Sequence, residues 1–186
     1  MRAAMLIGLS LLVVLAPAAS WSGENFSGGA FVIDGDTLNI RGRVIGLYGV
    51  AAPSLKQTCH DASGQSYSCG IASAQALAGF IGTATVTCET RQPDQHGRTL
   101  ATCRKGKGDL SAWMVTQGYA TADRRTSVAY VPDEKKAWAK RQGLWAGVFD
   151  DPAARQRDLY SAANQVVAAQ PNERANEPST TSSISR

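Results

Sequence analysis

The stretch Val32-Ile33-Asp34-Gly35-Asp36-Thr37-Leu38 decides how the rest of the chain is read. A short apolar run enters an Asp-Gly turn and leaves it as a second run, 37–40, which is a hairpin signal. The turn presents two carboxylates, Asp34 and Asp36, of the kind that hold a hard cation. Outward from it, 28–33 reads as the incoming strand and 43–48 as a third strand that ends at Gly49 and Pro53. Two further strands, 83–90 and 98–104, are joined by a turn around Pro93-Asp94-Gln95-His96-Gly97. Between the third and fourth strands, Gly70 opens a helical segment with Ile71, Ala74, Leu77, Ala78 and Ile81 on one face of a 3.6-residue period. Asp109 is an N-cap for a second helix carrying Leu110, Trp113 and Met114, closed by Gly118. Pro132 marks the start of a third, with Asp133 and Glu134 in its first turn and Gly143 as its stop. Leu144-Trp145 is expected to pack back onto the barrel. Five short strands with three helices describe an OB-fold, a β-barrel plus α architecture.

The ends differ from this middle. Residues 1–20 read as a signal peptide: Arg2 precedes an apolar run, 5–15, that is too short to span a bilayer. Ala16-Pro17-Ala18 and Ala18-Ala19-Ser20 are both small-x-small cleavage sites. Export to the periplasm or the medium is therefore expected, with no transmembrane segment left after cleavage. One folded domain of ordinary size, 21–150, follows. The C-terminal extension, 151–186, loses the apolar period, and disorder is expected from about 164 because Asn, Ser, Thr and Glu dominate its end.

An oxidising compartment favours disulfides among the four cysteines. Three pairings are open in principle. Neighbouring antiparallel strands would bring Cys88 and Cys103 face to face, and Cys59 and Cys69 then bracket the Gly- and Ser-containing loop 61–68. The expected pairs are Cys59–Cys69 and Cys88–Cys103. A metal site built from these cysteines with His60 or His96 is the rival reading, disfavoured by export and by the lack of a C-x-x-C pair. The net charge of +4 suits an anionic partner only weakly. Lys135-Lys136 with Lys140-Arg141 reads as a solvated helix face rather than a nucleic-acid stripe.

Three segments in order carry a resemblance: the Asp34-Gly35-Asp36-Thr37 turn, Gly49-Val50-Ala51-Ala52-Pro53-Ser54, and Asp94-Gln95-His96-Gly97-Arg98. With Gly118-Tyr119-Ala120 and Gly143-Leu144-Trp145 behind them, residues 31–148 resemble the staphylococcal nuclease (thermonuclease) family of calcium-dependent phosphodiesterases. The run from Gln57-Thr58-Cys59 through Tyr67-Ser68-Cys69-Gly70 looks like its exported bacterial branch. The resemblance implies an Asp in the turn as metal ligand, here Asp36 with Asp34 beside it, and a phosphate-contacting arginine after a glycine, here Arg98. It also implies a second metal Asp, a general-base Glu and a first Arg. Counted back from Pro53 without gaps, those positions are Ala51, Ser54 and Gly46. Arg43 lies three residues before Gly46, so a regular strand points it to the opposite face.

The expected function follows from these substitutions. The chain reads as an exported nuclease-like domain with impaired catalysis and an incomplete calcium site, retaining nucleic-acid or polyanion binding. A second reading is an active nuclease whose site is rebuilt from Asp61, Asp94, Asp133 or Glu134. A third is an envelope polysaccharide-associated accessory protein, since OB-type barrels also bind oligosaccharides.

Overall fold

The computed structural model describes residues 23–91, 93–94 and 98–169. The expected signal peptide, His96, Gly97 and the tail beyond 169 lie outside the described residues. Strands β1 (Asn25–Asp34), β2 (Thr37–Ile40), β3 (Arg43–Leu47), β4 (Thr85–Thr90) and β5 (Leu100–Lys105) form one sheet in the order β3-β2-β1-β4-β5. Its edges join through a parallel β3–β5 pairing, Gly46 with Leu100 and Leu47 with Ala101, which closes the sheet into a barrel. The predicted five-stranded OB-type barrel is therefore present. Leu38, Ile40, Ile45, Leu47, Val86 and Ala101 fill it, each at most 1% exposed. Leu38, Ile40 and Val86 alternate with polar neighbours, as the period-2 pleat requires.

Helix α1 (Cys69–Ile81) covers the barrel with Gly70, Ser73, Leu77 and Ile81. That stripe is rotated from the predicted one, and Ile71 is exposed. Helix α2 (Leu110–Thr116) starts as expected: the Asp109 carboxylate accepts the Ala112 N–H at 3.0 Å. Helix α3 (Val131–Ala139) has Pro132 within its first turn. Cys88 pairs with Cys103 across the β4–β5 ladder, and Cys59 with Cys69, as predicted. Two disulfides suit an oxidising compartment. Among the described residues no helix is long and apolar enough to cross a membrane.

Two expectations are corrected. Leu144 does not join the barrel core; it packs with Cys59 and Cys69 in a separate cluster beneath Tyr67 and Phe149. The chain also has a fourth helix, α4 (Pro152–Ala169), where three were expected. Asp151 caps it by accepting the Ala153 N–H at 3.0 Å, and α4 packs on the short ladder formed by Val50–Ala51 and Thr121–Ala122.

Tyr130, beneath α2, makes one pH prediction. Its hydroxyl donates to Asp109 at 3.2 Å. Burial, then the Asp109 charge, push the phenol up to about 12. In the unfolded chain tyrosine ionises near ~10. Above that pH the unfolded state binds fewer protons than the fold, so stability falls as pH rises. Stability is therefore undiminished below about pH 10 and declines towards about pH 12. Urea midpoints measured across this range should drop in the parent, and Tyr130→Phe should remove most of the slope.

Candidate functional site

The site is built where β1 turns into β2. Val32 pairs with Leu38 and Asp34 with Thr37, so Ile33 is an extra residue and forms a bulge. The turn beyond it is held by the Asp36 N–H donating to the Asp34 carboxylate at 3.0 Å. Asp36 is also tied to β3, since the Leu47 N–H donates to its carbonyl at 2.7 Å. The result is a carboxylate aimed into the protein, only 2% exposed.

Both Asp36 oxygens are engaged. Oδ1 accepts the Thr37 hydroxyl at 3.0 Å and faces Arg98 Nη1 at 3.6 Å. Oδ2 accepts the Ala52 N–H at 2.7 Å and the Gln156 side-chain amide at 2.9 Å. The same Gln156 nitrogen donates to the Ala52 carbonyl at 3.2 Å. Gln156 lies on α4, 120 residues from Asp36 in sequence. Burial is the largest influence on the Asp36 carboxyl and pushes its pKa up, with Asp34 adding to it. Arg98, the Ala52 N–H and Gln156 act the other way.

Arg98 bridges two acids. Its Nε donates to Asp94 at 3.1 Å and its backbone N–H to the same carboxylate at 2.9 Å, while Nη1 faces Asp36. Burial alone would lower its pKa, but Asp36, then Tyr160 and Asp94, outweigh it and hold the guanidinium above the ordinary value. The guanidinium lies directly over Gly46: a Cβ there would sit 3.0 Å from Arg98 Cζ and 2.8 Å from Leu100 Cδ2. Gly46 opposes Thr37 in the β2–β3 register, which puts it beside the turn. Arg43 does not replace a missing arginine. It forms a forked pair with Glu24 at 2.7 and 2.8 Å and stacks over Phe26 at 4.6 Å. Glu24 is held below its usual range, first by that hydrogen bond and then by the Arg43 charge.

Ala51 is buried, and its carbonyl accepts the Thr121 hydroxyl at 3.3 Å. Ser54 is half-buried, and its carbonyl accepts the Gln57 N–H at 2.8 Å. Of the acids proposed for a rebuilt site, Asp94 alone is joined to Asp36, through Arg98. Asp61 caps its own turn at Ser63 and Gln65. Asp133 pairs with Lys136 on α3, and Glu134 accepts the Ala122 N–H and pairs with Arg124. Among the described residues no group of three or more His, Cys, Asp or Glu side chains is placed to hold a metal ion.

Helix α4 also closes a cavity of about 240 Å³ next to Arg98. Arg98, Arg125 and Arg157 line it with Asp94, Asp123 and Tyr160. None of the α4 residues figured in the sequence expectations. The signal available was Asp151-Pro152, a cap followed by proline in the first helical position.

The sequence profile described as Staphylococcal nuclease homologue matches residues 44–147, more than half of the chain. The chain belongs to this family. It is also similar to the succinoglycan biosynthesis protein ExoI of Rhizobium meliloti, 34% identical over 142 residues, which cover 75% of this chain and 74% of that protein. A second relative is Protein ParB of Escherichia coli, 31% identical over 156 residues, covering 74% of this chain and 80% of that protein. The matched span of the staphylococcal nuclease homologue profile contains Gly46, Ala51, Ser54 and Arg98, so these positions fall within the family domain itself. Asp36 precedes it, and Gln156 follows it, on an element the profile does not reach.

Proposed function

We propose that this is an exported domain of the staphylococcal nuclease type that does not hydrolyse phosphodiesters by the cation-assisted route and that holds anions beside Arg98. The observation that carries this reading is the set of partners around Asp36: a hydroxyl, a backbone N–H, a side-chain amide and a guanidinium. All four are donors. A calcium ion gathers about 6–8 oxygens, and negative charge count tunes its affinity. Here Asp34 already accepts an N–H, the Ala52 carbonyl is taken by Gln156, and two positions expected to be acidic are Ala51 and Ser54. These residues do not fit the ion, and no step of a reaction is assigned to it.

What the site keeps is positive charge facing a cavity. Three arginines stand against two aspartates there, and a phosphate ester would meet planar donors suited to its oxygens. The leader, the two disulfides and the modest basic excess fit an exported protein that meets anionic polymers. The test is a calcium titration followed by thermal melting, with and without a nucleotide bisphosphate. Calcium alone should leave the melting temperature unchanged. The bisphosphate should raise it by linkage, less so as salt increases. A calcium-induced rise that disappears in Asp36→Asn would overturn the reading.

A second reading is favoured by one relative, whose name places it in succinoglycan biosynthesis. On that reading the domain is an accessory protein of envelope polysaccharide assembly, and its ligand is a sugar chain.

A further inference from the structure

A second cavity, of about 520 Å³, lies between α3 and the segment that follows the 3-10 turn Gly143–Ala146. It is within the size range of small-molecule sites, about 300–1,000 Å³. None of its residues lines the Arg98 cavity. One wall is apolar: Trp138, Trp145, Val148 and Phe149. Trp145 and Phe149 meet edge to face with ring centroids 5.0 Å apart, which fixes both rings. Trp138 is 65% exposed and Val148 71%. An indole left that open beside a cavity keeps a large apolar face in water, where a ligand would cover it.

The other wall is polar. Glu134 is buried and accepts the Ala122 N–H at 2.9 Å, and its second oxygen holds the Arg124 guanidinium, which is itself half in solvent. Asp151 lies beside it and faces the Thr121 hydroxyl at 3.5 Å. Fixed donors and acceptors thus share the cavity with exposed aromatic surface. The charge of this wall is two carboxylates against one guanidinium, which disfavours a polyanion. An apolar peptide would cover the aromatic wall but would cost the half-exposed Arg124 guanidinium its remaining contact with water.

We propose that this cavity is an oligosaccharide-binding site, in which a neutral pyranose ring stacks its C–H face on Trp138 and its hydroxyls meet Arg124, Glu134 and Asp151. The site is separate from Asp36 and Arg98. It names a place and a ligand class for the polysaccharide reading, and it stands or falls independently of the calcium experiment.

The test is calorimetric titration of the full chain with cellopentaose and with laminaripentaose. Saturable binding of at least one is expected. Trp138→Ala should weaken it by roughly 10-fold or more, as loss of a central aromatic contact does, while Trp138→Tyr keeps most of it. Because Trp138 is exposed, its melting temperature should stay that of the parent, which separates lost binding from lost fold. Raising salt should leave sugar binding unchanged. Failure of both sugars to bind, equal binding by Trp138→Ala, or preference for tetramethylammonium over either sugar would overturn the proposal.

Discussion

Incubated with single-stranded DNA and millimolar calcium, the protein is expected to cleave at least ~10⁴-fold more slowly than a family enzyme that keeps both arginines and both further acids. Asp36→Asn should leave that residual rate where it was. Removal of a positioned base costs ~10²–10⁴ in rate, and loss of an organised electrostatic donor ~10²–10³. These losses are not additive, because groups that act as a unit fail as a unit. On the proposed reading Ser54 stands at the base position, Ala51 at the second acid and Gly46 at the first arginine. Arg98 remains, but its guanidinium is held between Asp36 and Asp94 rather than facing an open pair of acids. The matched control is Asn rather than Ala at 36, since an amide keeps the volume and some of the hydrogen bonds that hold Ala52 and Gln156. Cleavage at the rate of an ordinary family member, abolished by Asp36→Asn, would refute the assignment.

Gly118→Ala is expected to cost about 2–5 kcal/mol of stability, a large share of what a domain of this size has. Gly118 has φ +72° and Gly143 φ +55°, a region where L side chains are strained. The two glycines cross backbone to backbone, and the Leu144 N–H donates to the Gly118 carbonyl at 2.9 Å. A Cβ on Gly118 would lie 2.1 Å from the Gln142 carbonyl oxygen, and one on Gly143 2.5 Å from that of Gly118. Neither neighbour is a side chain that can swing aside. Gly79→Ala is the contrasting case: it lies in α1 with nothing within 4 Å of an added Cβ. That substitution should gain about 0.5–1 kcal/mol through helix propensity. Denaturant midpoints of the two variants against the parent measure both. A Gly118→Ala midpoint close to that of the parent would mean the crossing can open at little cost.

This crossing also explains why two motifs so far apart were readable. Gly118-Tyr119-Ala120 and Gly143-Leu144-Trp145 look like separate helix stops; Gly118 does follow the cap of α2, whereas α3 ends at Ala139 and Gly143 opens the 3-10 turn instead. Their glycines are there because each chain segment occupies the space where the other's side chain would be. The sequence carries the residue type, and the fold supplies the reason.

The helix over the site shows the opposite case. The apolar content of 152–169 is too thinly spread to announce a core-facing helix. Its role comes from packing on the Val50–Ala51 and Thr121–Ala122 ladder, which puts Gln156 against Asp36. Likewise the stripe of α1 follows the barrel surface and not the run of largest side chains, so Ser73 is buried and Ile71 is not.

Local chemistry was enough to set the five strands, the turn between Asp34 and Thr37, the cap at Asp109 and the pairing of the cysteines. Each depends on a period, a turn residue or a neighbour in an adjacent strand. The same reading assigns the family's other charged positions to Gly46, Ala51 and Ser54, an assignment that the cleavage assay tests. Only tertiary structure decided what Asp36 touches and that Trp138 borders a polar-rimmed cavity. A contact spanning 120 residues is set by how elements pack, and no spacing along the chain encodes it.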